Sequence, residues 1–159
     1  MKLSTRQDIE APIDFVFQRA TDFSGFERQA LRRGIDVERV DDLSDVGQGM
    51  RWTAQFSFRG KTRRLQAELA DYDMPNALLI QSVSGGVEAD LDVEFLPLSR
   101  NRTRVKVGLQ LSPKSLSSRL LIQSLKFAKS NLKNRFAGRI DSFSKDVESR
   151  YQKTQNRGV

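Results

Sequence analysis

Between Ile35 and Pro113, apolar and polar side chains alternate in run after run with a period of two. "MRWTAQFSFRG" puts Met50, Trp52, Ala54, Phe56 and Phe58 on one side, with Arg51, Thr53, Gln55 and Ser57 on the other. "VEADLDVEF" opposes Val87, Ala89, Leu91, Val93 and Phe95 to Glu88, Asp90, Asp92 and Glu94. "KTRRLQAELADYD" carries Leu65, Ala67 and Leu69 on one face, and "TRVKVGLQL" carries Val105, Val107, Leu109 and Leu111. Successive side chains of an extended chain point to opposite faces, so each run is a strand with one wet face and one buried face. That pattern belongs to an antiparallel sheet, because parallel strands are buried on both faces. "IDVERV" adds a strand, and "ALLIQSVS" adds another whose facing is ambiguous. Gly60, Pro75-Asn76, Gly85-Gly86 and "LSRNR" read as the turns between them.

A sheet with one greasy face needs a cover. The sequence offers one in "NLKNRFAGRIDSFSKDVESRY", where Leu132, Phe136, Ile140, Phe143, Val147 and Tyr151 recur at steps of four and three. That spacing is a single apolar stripe along a helix, extended upstream by Leu125 and Ala128. An unbroken helix from Lys114 to Tyr151 would reach about 55 Å at 1.5 Å per residue. Such a length exceeds a small domain, which predicts a bend or break within "SPKSLSSRLLIQS" or at Gly138. At the other end, "KLSTRQDIE" reads as a strand with Leu3, Thr5, Gln7 and Ile9 on one face. Pro12 and Asp14 suit the first turn of a helix bearing Ile13, Val16, Phe17 and Ala20. "FSGFERQALRRG" reads as a second short helix closed by Gly34.

The order is strand, two short helices, six strands and a long helix. It describes an α+β chain in which a curved antiparallel sheet of about seven strands wraps around a long C-terminal helix. There is no internal repeat or linker, so residues 1–152 read as one domain and 153–159 as a disordered tail.

Composition narrows the chemistry. The chain has no cysteine and no histidine, which removes thiolate nucleophiles, sulfur-ligated metals and the usual general base near neutral pH. No apolar run approaches the ~20 residues of a membrane span, and the N-terminus has no signal-peptide pattern. The expected setting is the cytoplasm, with no metal, no cofactor and no catalytic residue. The net charge of +7 is uneven: residues 1–112 carry 16 Lys+Arg against 17 Asp+Glu, and residues 113–159 carry 11 against 3. Lys126, Lys129 and Lys133 on the C-terminal helix would suit an anionic surface, and equally a solvated helix face.

Three passages resemble the START/SRPBCC superfamily, also called Bet v 1-like or polyketide cyclase/dehydrase-like. "IEAPIDFVFQRATDFSGFE" is similar to its opening, with Ala11-Pro12, Phe15–Phe17, Asp22 and Phe26 at the matching places. "VGQGMRWTAQF" is similar to its Gly-x-Gly turn and long following strand, through Gly47, Gly49 and Arg51, and the C-terminal stripe is similar to its gripping helix. The resemblance spans roughly residues 1–150 and implies a helix-grip fold. It also implies a cavity between sheet and helix for a lipid, sterol, polyketide or other small hydrophobic ligand. On that reading the cavity is lined by Trp52, Ala54, Phe56, Phe58, Leu65, Ala67, Leu69, Ala89, Leu91, Val93 and Val107 from the sheet, and by Leu132, Phe136, Ile140 and Phe143 from the helix. The same residues read equally as a solid core, although the small Ala54, Ala67 and Ala89 leave volume to fill.

The role expected is a carrier or sensor. A cyclase, dehydratase or hydrolase using the same cavity is an alternative the resemblance implies, but the inward phases offer only Gln7, Gln81 or Ser82, Tyr72 and Tyr151 as polar groups. An adaptor docking through the basic helix is a third reading. Asp90, Asp92 and Glu94 share a face opposite Leu91 and Val93, which makes them a solvated face rather than a metal site. Gly47-x-Gly49 precedes a strand and lacks a third glycine, so it is a hairpin turn and no nucleotide loop. "DDLSD" lacks the spacing of a calcium loop. Arg59, Lys61, Arg63 and Arg64 cluster about one hairpin, and Arg135 and Arg139 join the lysines of the helix. Nucleic acid is disfavoured as their partner because the aromatics fall on buried phases.

Overall fold

The computed structural model describes residues 1–157. Seven strands form one antiparallel sheet: β1 (Lys2–Ile9), β2 (Asp36–Arg39), β3 (Arg51–Phe58), β4 (Lys61–Asp73), β5 (Ala77–Ser84), β6 (Val87–Ser99) and β7 (Arg102–Pro113). They lie in the order β1-β7-β6-β5-β4-β3-β2, so from β7 to β2 each strand pairs with its neighbour in the chain, by turns except for the longer loop between β2 and β3. The tightest turns are Arg59-Gly60 and Gly85-Gly86, and all four residues have positive φ, the geometry that matches a hairpin to the twist of its strands. The register carries the alternation into space. Trp52 pairs with Ala67, Leu69 with Ile80, Ile80 with Leu91, Ala89 with Leu111, and Val93 with Val107, all on one face.

The facing of β5, ambiguous in sequence, is set by those rungs: Leu78, Ile80, Ser82 and Ser84 share the inner face, and Gln81 points outward and is exposed. Gln81 is therefore not one of the inward polar groups. A bulge between Leu69 and Asp71 shifts the phase of β4 and turns Tyr72 inward beside Leu78. Tyr72 then meets Phe17 with ring centroids 5.4 Å apart, and Phe17 meets Phe95 edge-on at 5.2 Å.

Helices α1 (Ile13–Ala20) and α2 (Phe23–Arg32) follow β1, with Asp22 capping α2 by accepting from the Gly25 N–H at 3.2 Å. The C-terminal stretch is interrupted, as its length requires, but not at either expected place. It is two helices, α3 (Leu116–Lys126) and α4 (Lys129–Arg157), and the break falls at Phe127-Ala128, beyond "SPKSLSSRLLIQS" and well before Gly138. Neither Lys126, Phe127, Ala128 nor Lys129 is a helix breaker. Packing makes the break: α3 lies against β7, whereas α4 lies along β1 and α1, and one straight rod does not reach both. Helix α4 also continues through Lys153–Arg157, so that part of the expected tail is helical. Gly158 and Val159 lie outside the described residues.

The sealed core occupies one end of the sheet. Ile9, Ala11, Val16, Phe17, Phe23, Met50, Trp52, Leu69, Leu78, Phe95, Val105, Val107 and Val147 form one buried cluster. Within it the Thr103 hydroxyl donates to the Ala11 carbonyl at 2.8 Å, satisfying two buried polar groups at once. Beside it, Asp41 holds the loop between β2 and β3. Its carboxylate, with the side chain 3% exposed, accepts from Arg39 Nε and Nη2 at 2.9 and 2.8 Å and from the N–H groups of Leu43 and Arg51 at 2.9 Å each. These donors, the Arg39 guanidinium foremost, keep the Asp41 carboxyl well below the usual carboxylate range.

Candidate ligand-binding groove

Away from that cluster the concave face is not sealed. Ala54, Phe56, Phe58, Leu65 and Ala89 point inward on β3, β4 and β6, yet each is only half-buried and outside the core. Leu109 and Leu111 of β7 and Leu132 of α4 are half-buried as well. An inward apolar side chain that water still reaches leaves apolar surface bare on the concave face. Ala67, Leu91, Val93, Phe136, Ile140 and Phe143 form its inner boundary, half-buried and packed against the core. Trp52, Leu69 and Val107 lie beyond that boundary in the sealed cluster, at 8%, 0% and 5% exposed. The fifteen side chains singled out from the sequence thus divide into the sealed core, its half-buried boundary and inward residues that water still reaches.

Helix α3, the upstream piece of the broken C-terminal stretch, packs against β7 at this end of the sheet. Its N-terminus is tied to the hairpin of β5 and β6. The Lys114 N–H donates to the Gly86 carbonyl at 2.8 Å, and a Cβ on Gly86 would stand 2.8 Å from Ser115 Oγ. Ser115 and Ser118 cap the helix reciprocally: Ser118 N–H donates to Ser115 Oγ at 3.2 Å, and Ser115 N–H donates to Ser118 Oγ at 2.9 Å. Near its C-terminus, Arg59 Nη1 on the hairpin of β3 and β4 donates to Ser124 Oγ at 2.9 Å. Leu121 and Leu125 on α3 are half-buried. They belong to this end of the molecule, and only Leu125 was visible in the sequence as part of a stripe.

The hairpin of β3 and β4 brings charge to the groove's edge. Arg63 pairs with Phe56 and Lys61 with Phe58, so both basic residues are on the inner phase. The guanidinium carbons of Arg59 and Arg63 stand 5.3 and 5.2 Å from the centre of the Phe58 ring, within the range of cation–π attraction. Two of these arginines thus cover the inward aromatic Phe58. Among inward polar groups, Ser82 Oγ donates to the Ala89 carbonyl at 3.0 Å and Ser84 Oγ to the Arg64 carbonyl at 2.7 Å.

The remaining motifs find structural places. Asp90, Asp92 and Glu94 stand on the convex face across from Gln110, Gly108 and Lys106. Among the described residues no group of three or more carboxylates could hold a metal ion. No helix is long and apolar enough to cross a membrane. Tyr151 packs on Phe15 at 5.2 Å, and its hydroxyl is 3.3 Å from Asn101 Oδ1. A shallow depression of about 360 Å³ beside Tyr151 and Asn101 is open to solvent and lies at the far end from the groove.

No protein-family model matches the sequence, and no curated protein does. Solved structures match its shape. The Zhui aromatase/cyclase from Streptomyces sp. R1128 superposes with a TM-score of 0.71 at 10% identity, over 94% of this chain and 94% of that one. A point mutant of norcoclaurine synthase from Thalictrum flavum, in complex with a transition-state analogue, gives 0.66 at 15% identity, over 94% and 95%. The protein TTHA0849 from Thermus thermophilus gives 0.64 at 19% identity, over 94% and 98%. At these identities the likeness is one of fold.

Proposed function

We propose that this chain, which has the helix-grip fold of the START/SRPBCC (Bet v 1-like) superfamily, holds a small hydrophobic or amphipathic molecule in the groove, as a carrier or sensor. The observation that carries the reading is the half-burial of inward Ala54, Phe56, Phe58, Leu65 and Ala89. Concave apolar surface left wet gains free energy by closing on an apolar guest, at about 25 cal/mol per Å² removed from water. A guest that hides about 200 Å² of groove and a similar area of itself therefore gains on the order of 10 kcal/mol before the costs of immobilisation. Lys61 and Arg63 on the inner phase suit an acidic head group at the mouth.

Two neighbours in fold are named as enzymes, an aromatase/cyclase and norcoclaurine synthase, which makes catalysis in the groove the second reading. The inward Ser82 and Ser84 favour the first, because both hydroxyls are spent on backbone carbonyls and neither is an acid or base near neutral pH. Native mass spectrometry of freshly purified protein, with titration of a fluorescent fatty acid, tests the proposal. A co-purified apolar adduct or saturable one-site probe binding is expected. Bare protein that also leaves the probe unbound would overturn it.

A further inference from the structure

We infer that the outer face of α3, together with the junction between α3 and α4, docks the protein onto an anionic lipid bilayer. Helix α3 has a buried inner face and an exposed apolar outer face. The inner one carries Ser118 and Ile122, 2% and 3% exposed, and packs against β7. The outer one carries Leu116, Leu120 and Phe127, which are 73%, 60% and 95% exposed. At 3.6 residues per turn, these three fall within about 40° of one another around the helix axis. They form a stripe that ends in a bare phenylalanine at the apex where the chain turns into α4. Single exposed apolar residues are ordinary on a soluble protein, but an aligned stripe marks a contact surface. The sequence pattern places the aromatics on buried phases; Phe127, on the outer phase of α3, departs from it, as to a lesser degree does Phe26 at 40% exposed.

Charge complementarity selects the occupant. From Phe95 to Ile140 the chain contains no Asp or Glu and 11 Lys or Arg. Arg119 and Lys126 flank the stripe on α3, and Lys129 and Lys133 follow it on the first turns of α4, all exposed. Among the described residues none of these four has a carboxylate partner, whereas Lys114 pairs with Glu88 at 3.5 Å. Arg59, bonded to Ser124, adds a further cation to the same end. A bare apolar stripe ringed by unpaired cations and free of acids is the pattern of interfacial helices that rest on acidic headgroups. A bilayer accepts inserted side chains and scattered charges together without needing a shape match. A nucleic acid would use the cations and leave Leu116 and Leu120 wet.

Flotation of the full chain with vesicles tests this. Binding is expected to phosphatidylcholine vesicles containing phosphatidylserine, not to pure phosphatidylcholine, and to weaken as salt is raised. Phe127→Ser should lower partitioning about tenfold, from the apolar area it withdraws. Each of Lys126→Gln, Lys129→Gln and Lys133→Gln should lower it roughly fivefold. All four side chains are exposed, so melting temperatures should stay at the parent value, and apolar-probe binding in solution should not change. No binding to the acidic vesicles at low salt would overturn the inference. So would binding that Phe127→Ser leaves intact, or tighter capture by RNA or an acidic peptide that ignores Phe127.

Discussion

Replacing Ala89 with leucine separates an empty groove from a filled one. Ala89 faces inward on β6 between Ser82 of β5 and Leu111 of β7, and all three are only half-buried. Leucine adds three carbons. Fully buried, these are worth about 2.4 kcal/mol at about 0.8 kcal/mol per methylene. Half-buried, as Ala89 is, they are worth about 1 kcal/mol. In an open groove nothing opposes that gain, so ligand-free Ala89→Leu should melt at or slightly above the parent, by about 2–4 °C at most. In a solid core the same atoms overpack and cost about 1–3 kcal/mol. Ala11→Leu serves as the control, because Ala11 is 0% exposed within the sealed cluster and should show that cost. The assay pairs thermal melts with titration of a fluorescent fatty acid, whose affinity should fall in Ala89→Leu as the new side chain takes its space. A loss of more than about 1 kcal/mol in Ala89→Leu, with no probe bound by the parent, refutes the reasoning.

Phe17→Ala should cost about 3–5 kcal/mol, because the ring is 2% exposed and packs on both Tyr72 and Phe95; a chemical denaturation midpoint close to the parent's would contradict the placement of the core. Asp41→Asn should lower the melting temperature at neutral pH by weakening the hold on Arg39, Leu43 and Arg51. Since the Asp41 pKa is depressed in the folded protein, its contribution is present above the unfolded carboxylate value, near about 4, and is lost as pH falls through the folded value. Melting curves taken from neutral to acid pH should therefore fall less steeply in Asp41→Asn, and equal slopes in the two proteins would count against that role.

How far the molecule was legible depends on whether the deciding force was local. The alternation in Trp52–Phe58 and Val87–Phe95 wrote the sheet directly, because period-two burial and the strand pleat are the same fact. The β4 bulge was illegible: Ala70 looks like any other strand residue, and only the pairing of Leu69 with Ile80 and Asp71 with Leu79 reveals it. The break at Phe127 was hidden for a similar reason. No glycine or proline marks it, and it arises from where α3 and α4 must pack. The groove was legible as a list of inward residues but not as a division among them. Whether Trp52 is sealed and Phe56 wet depends on α1 and α2 filling one end and leaving the other. The strand pattern does not contain that information.

Because the sealed cluster sits at the α1 and α2 end, the two halves of the sheet differ in what it takes to pull them apart. Opening the rungs near Trp52, Leu69 and Val105 means exposing the cluster itself, so the amides there should exchange with solvent only on global unfolding. The rungs near Phe58 and Lys61 have no such anchor, and α3 is joined to that hairpin only through the side-chain bond of Arg59 to Ser124. That end can breathe while the far end keeps the topology intact. A molecule entering there would find its door in the least protected amides of the chain, and would slow their exchange on binding without changing the slowest ones.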